Sequence, residues 1–135
     1  MIEIEYRKSK VFLRILAKFI DIILVYILYS SLSKTGLFLG IFYLLISDGI
    51  FKGKSVGKKF LRIKVINIER NESADFRDSI LRNIILSLCL IFLLIPFIGW
   101  FICLGVYLLE LIILVGDKES KRIGDYIAKT TVIEE

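Results

Sequence analysis

The chain has 135 residues, 56% of them hydrophobic, with a mean hydropathy of +0.74 and a formal net charge of +5. That length leaves room for one domain and no separate catalytic module, and the hydropathy excludes an ordinary soluble domain. The absence of histidine removes the usual general base and the usual metal ligand, so neither enzyme activity nor a metal or cofactor site is expected.

Arg7, Lys8, Lys10, Arg14 and Lys18 precede or open the first apolar run. The charged stretch is long and no small-residue cleavage site follows it, so no cleavable signal is expected. The run predicts a membrane helix over about residues 12–32, with Tyr26 and Tyr29 as interfacial anchors towards its outer end. Asp21 lies inside it, and an ionised Asp near a bilayer centre costs about 2.5–3.5 kcal/mol. It therefore faces protein or a wet cavity. Arg14 stands about two turns earlier on the same helix face. Two readings follow: Asp21 glues helices together, pairing with Lys18 or a polar group across the bundle, or it serves an ion or proton site.

Ser33 to Gly36 reads as a tight polar turn, and residues 37–51 as a second span with Asp48 near its inner end. Both spans are short, so Lys18 and Lys52 must snorkel or the bilayer must thin. A loop over 52–78 follows. Gly49 to Ser55 reads GIFKGKS, one residue short of a phosphate loop, and it follows a helix rather than a strand. An NTPase is rejected. Gly49, Gly53 and Gly57 recur at a spacing that allows close helix approach. Lys54, Lys58, Lys59 and Arg62 read most simply as a clamp on lipid head groups.

Leu61, Ile63 and Val65 alternate with Arg62 and Lys64, which predicts a short strand over 60–67. Residues 128–133 are also β-prone and are expected to pair with it at the cytoplasmic face. Glu69 to Ser73 reads as a turn, and Asp75 to Arg82 as the opening of a helix with Phe76, Ile80 and Leu81 towards the membrane.

From Asn83 to Gly116 the only ionisable side chain other than Cys and Tyr is Glu110. One helix of that length would reach about 50 Å, too long for a single crossing. Pro96 to Gly99 supplies a break, giving a hairpin of spans at 79–95 and 100–115; one long helix kinked at Pro96 is the alternative. Cys89 and Cys103 lack CxxC spacing and read as buried structural thiols.

The expected fold is an all-α integral membrane domain over 1–135, with four short transmembrane helices in two hairpins, the cytoplasmic loop and a cytoplasmic tail at 116–135. With these crossings every lysine and arginine except Lys34 falls on one side, which makes that side cytoplasmic and puts both termini there, in the cell membrane. The basic residues flank spans, so anionic lipid head groups rather than nucleic acid are the expected partner.

These residues together resemble the RDD family of small multi-pass bacterial membrane proteins, named for one arginine and two aspartates. Arg14 and Asp21 match the first two letters. The family's glycine-rich segment after the second span appears as Gly53-Lys54-Ser55-Val56-Gly57-Lys58-Lys59 followed by Val65-Ile66, with Ser55 in place of a common Thr. Its LRN appears as Leu81-Arg82-Asn83, and its terminal GD with a TxV stretch as Gly124-Asp125 and Thr130-Thr131-Val132. Asp48 fits the acid common before the glycine segment. Glu110 inherits no role.

The resemblance implies a membrane protein in which monovalent cation/proton exchange is one suspected activity. An acid shifted by desolvation can trade a proton for a cation if water reaches it from alternate sides. Asp21 is the first candidate carrier, Glu110 the second and Asp48 a shallower relay, with Arg14 tuning Asp21 or closing the cytoplasmic end. Gly53, Gly57, Lys58, Arg82 and Asp125 are read as structural, Asp125 pairing with Arg82 or Lys58. Four short helices leave little interior, so transport would call for a homo-oligomer. The contrasting expectation is a non-transporting accessory, scaffold or immunity-type subunit docking a protein at its cytoplasmic face. An ion path needs two acids wet and facing one another; a scaffold needs none.

Overall fold

The computed structural model describes residues 7–135, so the start of the stretch read as carrying no signal lies outside it. Helix α1 (Val11–Ile50) is two helical arms joined at Ser33, whose φ of 54° and ψ of −131° interrupt the helix. The arms run antiparallel: Asp21 meets Tyr43, Gly40 lies on Val25 and Gly36 lies on the Leu28 carbonyl. The reversal is therefore tighter than the expected turn over Ser33 to Gly36. Lys34 to Gly36 already belong to the second arm, because Gly36 has no Cβ to strike the first arm's backbone.

Helix α2 (Val56–Phe60) is a short segment whose N-cap Ser55 accepts from the Lys58 N–H at 3.3 Å. Strand β1 (Ile63–Asn67) follows, then the two-residue β2 (Glu72–Ser73). Helix α3 (Phe76–Ile91) starts at a reciprocal capping box between Asp75 and Asp78. A 3₁₀ turn at Phe92–Leu94 and the Pro96 break lead into α4 (Ile98–Gly116), which folds back on α3. Gly99 abuts the Phe92 carbonyl, and the Cys103 thiol lies 2.7 Å from the Cys89 carbonyl oxygen. Helix α5 (Ile123–Ala128) and strand β3 (Thr130–Glu134) complete the chain.

The sheet has the order β2-β1-β3, antiparallel throughout, with Val65 opposite Val132. The expected β-pair is present with shifted edges. Phe60 ends α2 and Arg62 turns the chain with φ 53°, so the strand opens at Ile63; Ala128 ends α5 and Lys129 turns with φ 53°. Residues 69–73 are more than a turn, since Glu72 and Ser73 add the third strand. Ile63, Val65, Ala74 and Val132 pack with Ala17 into an apolar core beneath the helices.

The four long helical segments fall where four spans were expected. Among the described residues one helix, α4, is long and apolar enough by itself to cross a membrane. The α1 arms carry Arg14, Lys18, Asp21, Lys34 and Asp48, and α3 has only 16 residues with Arg77, Asp78 and Arg82 near its start. Large apolar side chains nonetheless cover the outside of all four segments, among them Phe19, Phe42, Leu88 and Phe101. An exposed apolar surface of that extent suits lipid rather than water.

Candidate functional site: a buried ion-pair network and the cleft at Glu110

The α1 hairpin, α3 and α5 converge on two carboxylates. Asp48, near the C-terminal end of the second α1 arm, accepts from Arg82 Nη1 at 2.9 Å and Asn83 Nδ2 at 3.3 Å, both on α3. Lys58 of α2 closes on its other oxygen. The Asp48 N–H donates to Ser79 Oγ at 3.0 Å, and that hydroxyl donates to the Leu45 carbonyl at 2.7 Å. Asp125, in the first turn of α5, accepts from Arg82 Nε at 2.7 Å, and Arg82 Nη2 stands at ion-pair distance, 2.6 Å, from the same oxygen without a hydrogen bond. Its other oxygen receives Arg14 and the Arg122 N–H, the latter at 3.1 Å.

Arg14, Asp125, Arg82, Asp48 and Lys58 thus form one continuous chain of buried charge, with Arg82 at its centre. Breaking such a pair by deleting one partner costs about 3–5 kcal/mol because the other charge is left uncompensated. Gly124 makes the approach possible, since a Cβ there would collide with the Arg82 carbonyl.

Two network members lie outside the helices read as spans. Burial alone would raise the Asp125 carboxyl, yet Arg82, Arg122 and Arg14 hold it well below the usual carboxylate range. Burial pulls the Lys58 ammonium down to about 7; Asp48 opposes the shift, while Arg82 and Arg122 add to it.

Asp21 belongs to a separate and neutral cluster. It accepts from Ser55 Oγ at 2.6 Å, Tyr43 Oη at 2.8 Å and the Gly57 N–H at 3.0 Å, and is 2% exposed. These donors staple the α1 hairpin to the turn before β1. Gly57 fits because its Cα lies on the Ala17 carbonyl, where no side chain can enter. Gly53 has a φ of 89° and its carbonyl accepts from the Val65 N–H at 2.7 Å, so its role is set by backbone geometry.

Three expectations need correction. Arg14 reaches Asp125 and the Ser120 carbonyl instead of Asp21, although both face inward from α1. Of the two partners expected for Asp21, Lys18 forms no ion pair with it among the described residues, and polar groups across the fold, Tyr43 and Ser55, take that place. Lys58 is buried on Asp48, so it is no part of a head-group clamp; Lys54 pairs with Glu135 and Lys59 lies over the Phe51 ring at 4.2 Å, leaving Arg62 exposed. Tyr43, Ser79 and Asn83 were missed as partners. Their only sequence signal is polarity in an apolar run, which does not say which carboxylate each one meets.

Glu110 stands apart. It is 5% exposed, yet it makes no hydrogen bond or ion pair with any described residue. It lines a cleft of about 250 Å³ between α1 and α4, together with Lys18, Tyr107 and the edge of the ion-pair network. The Tyr107 hydroxyl is also buried without a partner.

The RDD family model matches residues 31–129, most of the chain. The chain belongs to the RDD family. No curated protein and no solved structure matches it. The RDD match includes Asp48, the glycine segment, Leu81-Arg82-Asn83, Glu110 and Gly124-Asp125, and it begins after Arg14 and Asp21. Those two residues are tied to the RDD core by contact: Arg14 to Asp125, and Asp21 to Ser55 and Gly57.

Proposed function

We propose that this RDD protein crosses the cell membrane four times with both termini cytoplasmic, and exchanges a monovalent cation for a proton at Glu110. The four-crossing reading draws on the placement of every lysine and arginine except Lys34 on one side of the helices. One observation carries the exchange reading: Glu110 is a buried carboxylate with no hydrogen bond or ion pair among the described residues, on the wall of a cleft. An exchanging acid must be free to lose its proton and to take a cation in its place, and intramembrane acids of this kind mark ion paths by default. Asp48 is committed to Arg82 and Lys58, and Asp21 to three neutral donors. Glu110 therefore replaces Asp21 as the first candidate, and Arg14 becomes a structural residue.

Cation-driven pH change in proteoliposomes tests this. Native protein should exchange sodium or potassium for protons, and Glu110→Gln should abolish it while Asp21→Asn retains part of it. Undiminished flux through an inserted Glu110→Gln protein would remove that residue from the mechanism.

A second reading is favoured by the closed network. Among the described residues the buried acids other than Glu110 all have internal partners, as a scaffold or accessory subunit docking a protein at its cytoplasmic face would have them. Native protein that is folded, inserted and silent in the flux assay supports this second reading.

A further inference from the structure

The cleft beside Glu110 has an unequal distribution of charge. Arg14, Lys58 and Arg82 are matched against Asp48 and Asp125, and Arg122 Nη2 stands 3.9 Å from the same Asp125. Lys18 has no carboxylate within ion-pair distance among the described residues. All five cations line the cleft, and Glu110 is the one acid that does. Cations therefore outnumber the carboxylates that reach them at one end. The remaining wall is apolar: Ile15, Phe19 and Ile22 of α1 face Leu104, Leu108 and Leu111 of α4. Phe19, Leu104 and Leu108 are each about half exposed, so the slot is reached from the face that lipid would cover.

We propose that this cleft is a binding site for an anionic phospholipid of the surrounding membrane. The phosphate sits against Lys18 and Arg122, where the unmatched positive charge lies, and one acyl chain runs along the slot between α1 and α4. On the same wall the Tyr107 hydroxyl, without a partner among the described residues, donates to a phosphate or ester oxygen, and Glu110 accepts from a head-group hydroxyl. A basic pocket between transmembrane helices near their cytoplasmic ends is the physical setting in which acidic lipid head groups are held. The occupant has to be amphiphilic because the site is: a free anion leaves the slot unfilled, and an uncharged hydrocarbon leaves Lys18 desolvated without a counter-charge. This site differs from the loop lysines, since Lys18 of α1 and Arg122 at the start of α5 both line the cleft, and Lys54 and Lys59 do not.

The test does not depend on the exchange reading, because it measures retained lipid rather than flux. Full-length protein in detergent is titrated with phosphatidylglycerol and, separately, phosphatidylcholine, and bound lipid is counted by native mass spectrometry. Phosphatidylglycerol should be retained in preference, and Lys18→Gln should weaken it about fivefold, the effect of one basic residue near an acidic head group. Leu111→Trp, which fills the slot and leaves every charge in place, should weaken both lipids. Lys34→Gln, on the far side, should change nothing. Equal retention of the two lipids would overturn the head-group assignment. Displacement of the lipid by millimolar inorganic phosphate, with phosphate itself retained, would show a free-anion site and overturn the lipid reading. Lys18→Gln and Leu111→Trp proteins that both bind like native would place the lipid elsewhere.

Discussion

Asp48 and Asp125 meet their cations at hydrogen-bond distance, whereas Glu110, on the wall of a cleft that the same guanidinium groups line, meets none. The first arrangement holds both carboxylates against cations within the fold, which leaves no free acid to exchange, and the result is a rigid joint between the α1 hairpin, α3 and α5. The second leaves a polar group without an internal partner, which folding alone does not favour. A joint should respond to mutation through stability, and an open acid through activity. The contrast between the two regions is therefore measurable.

The largest effect is expected at Arg82. Arg82→Met strands both Asp48 and Asp125 and should destabilise the solubilised protein by about 3–5 kcal/mol, read as a fall in thermal midpoint. Arg82→Lys should recover little, because one ammonium cannot span two carboxylates as the guanidinium does. A near-native midpoint for either variant would break the distinction between joint and open acid. Gly57→Ala comes next. A methyl group there meets the Ala17 carbonyl and displaces the N–H that Asp21 uses, with an expected cost of about 1–3 kcal/mol by thermal unfolding.

The pH dependence separates the network members further. The folded Lys58 pKa, about 7, lies below its ordinary 10.5, so between these values the unfolded chain binds more protons than the folded one. Stability should therefore rise as pH increases from about 7 towards 10, and Lys58→Met should flatten that rise. Asp125 works in the opposite range. Its depressed pKa gives stability that is fully present above the ordinary carboxylate pKa and lost only as pH falls through its own, so no Asp125-dependent melting is expected near neutrality. The smallest stability effect belongs to Glu110→Gln. With no partner to lose, its midpoint should stay within about 0.5 kcal/mol of native while flux disappears. A large destabilisation there would mean that Glu110 is part of the joint after all.

Much of this molecule was legible from residues alone, for reasons that differ by region. The α1 hairpin, the break at Pro96 and the α3 start follow from apolar runs, a proline and the Asp75 cap, all local signals. The β1–β3 pair was readable from alternation, but its edges were not, because Arg62 and Lys129 turn the chain with positive φ and neither residue advertises it. The site was legible as a set of charges and only in part as a set of partners: Arg82 meets Asp125 as expected, but the other pairings were not readable. Arg14 shares a helix face with Asp21 and yet reaches across to Asp125, more than a hundred residues away in sequence. Periodicity places a side chain on a face; the opposing surface decides what it meets. Glu110 was visible as a lone acid, but only the packed fold distinguishes an acid without a partner from one whose partner comes from another helix.

The order in which the parts leave the ribosome adds a constraint of its own. β1 pairs with β3, and Arg82 pairs with Asp125, yet β3 and Asp125 are synthesised after α4. Until the chain beyond α4 has been made, β1 has only the two-residue β2 to pair with, and Arg82 has Asp48 alone of its two carboxylates. Sheet and network therefore close together, late, and only when the second helical hairpin has delivered the tail to the side where β1 waits. A chain whose tail does not reach β1 keeps an unpaired strand edge and an arginine with one carboxylate instead of two, features that favour mispairing.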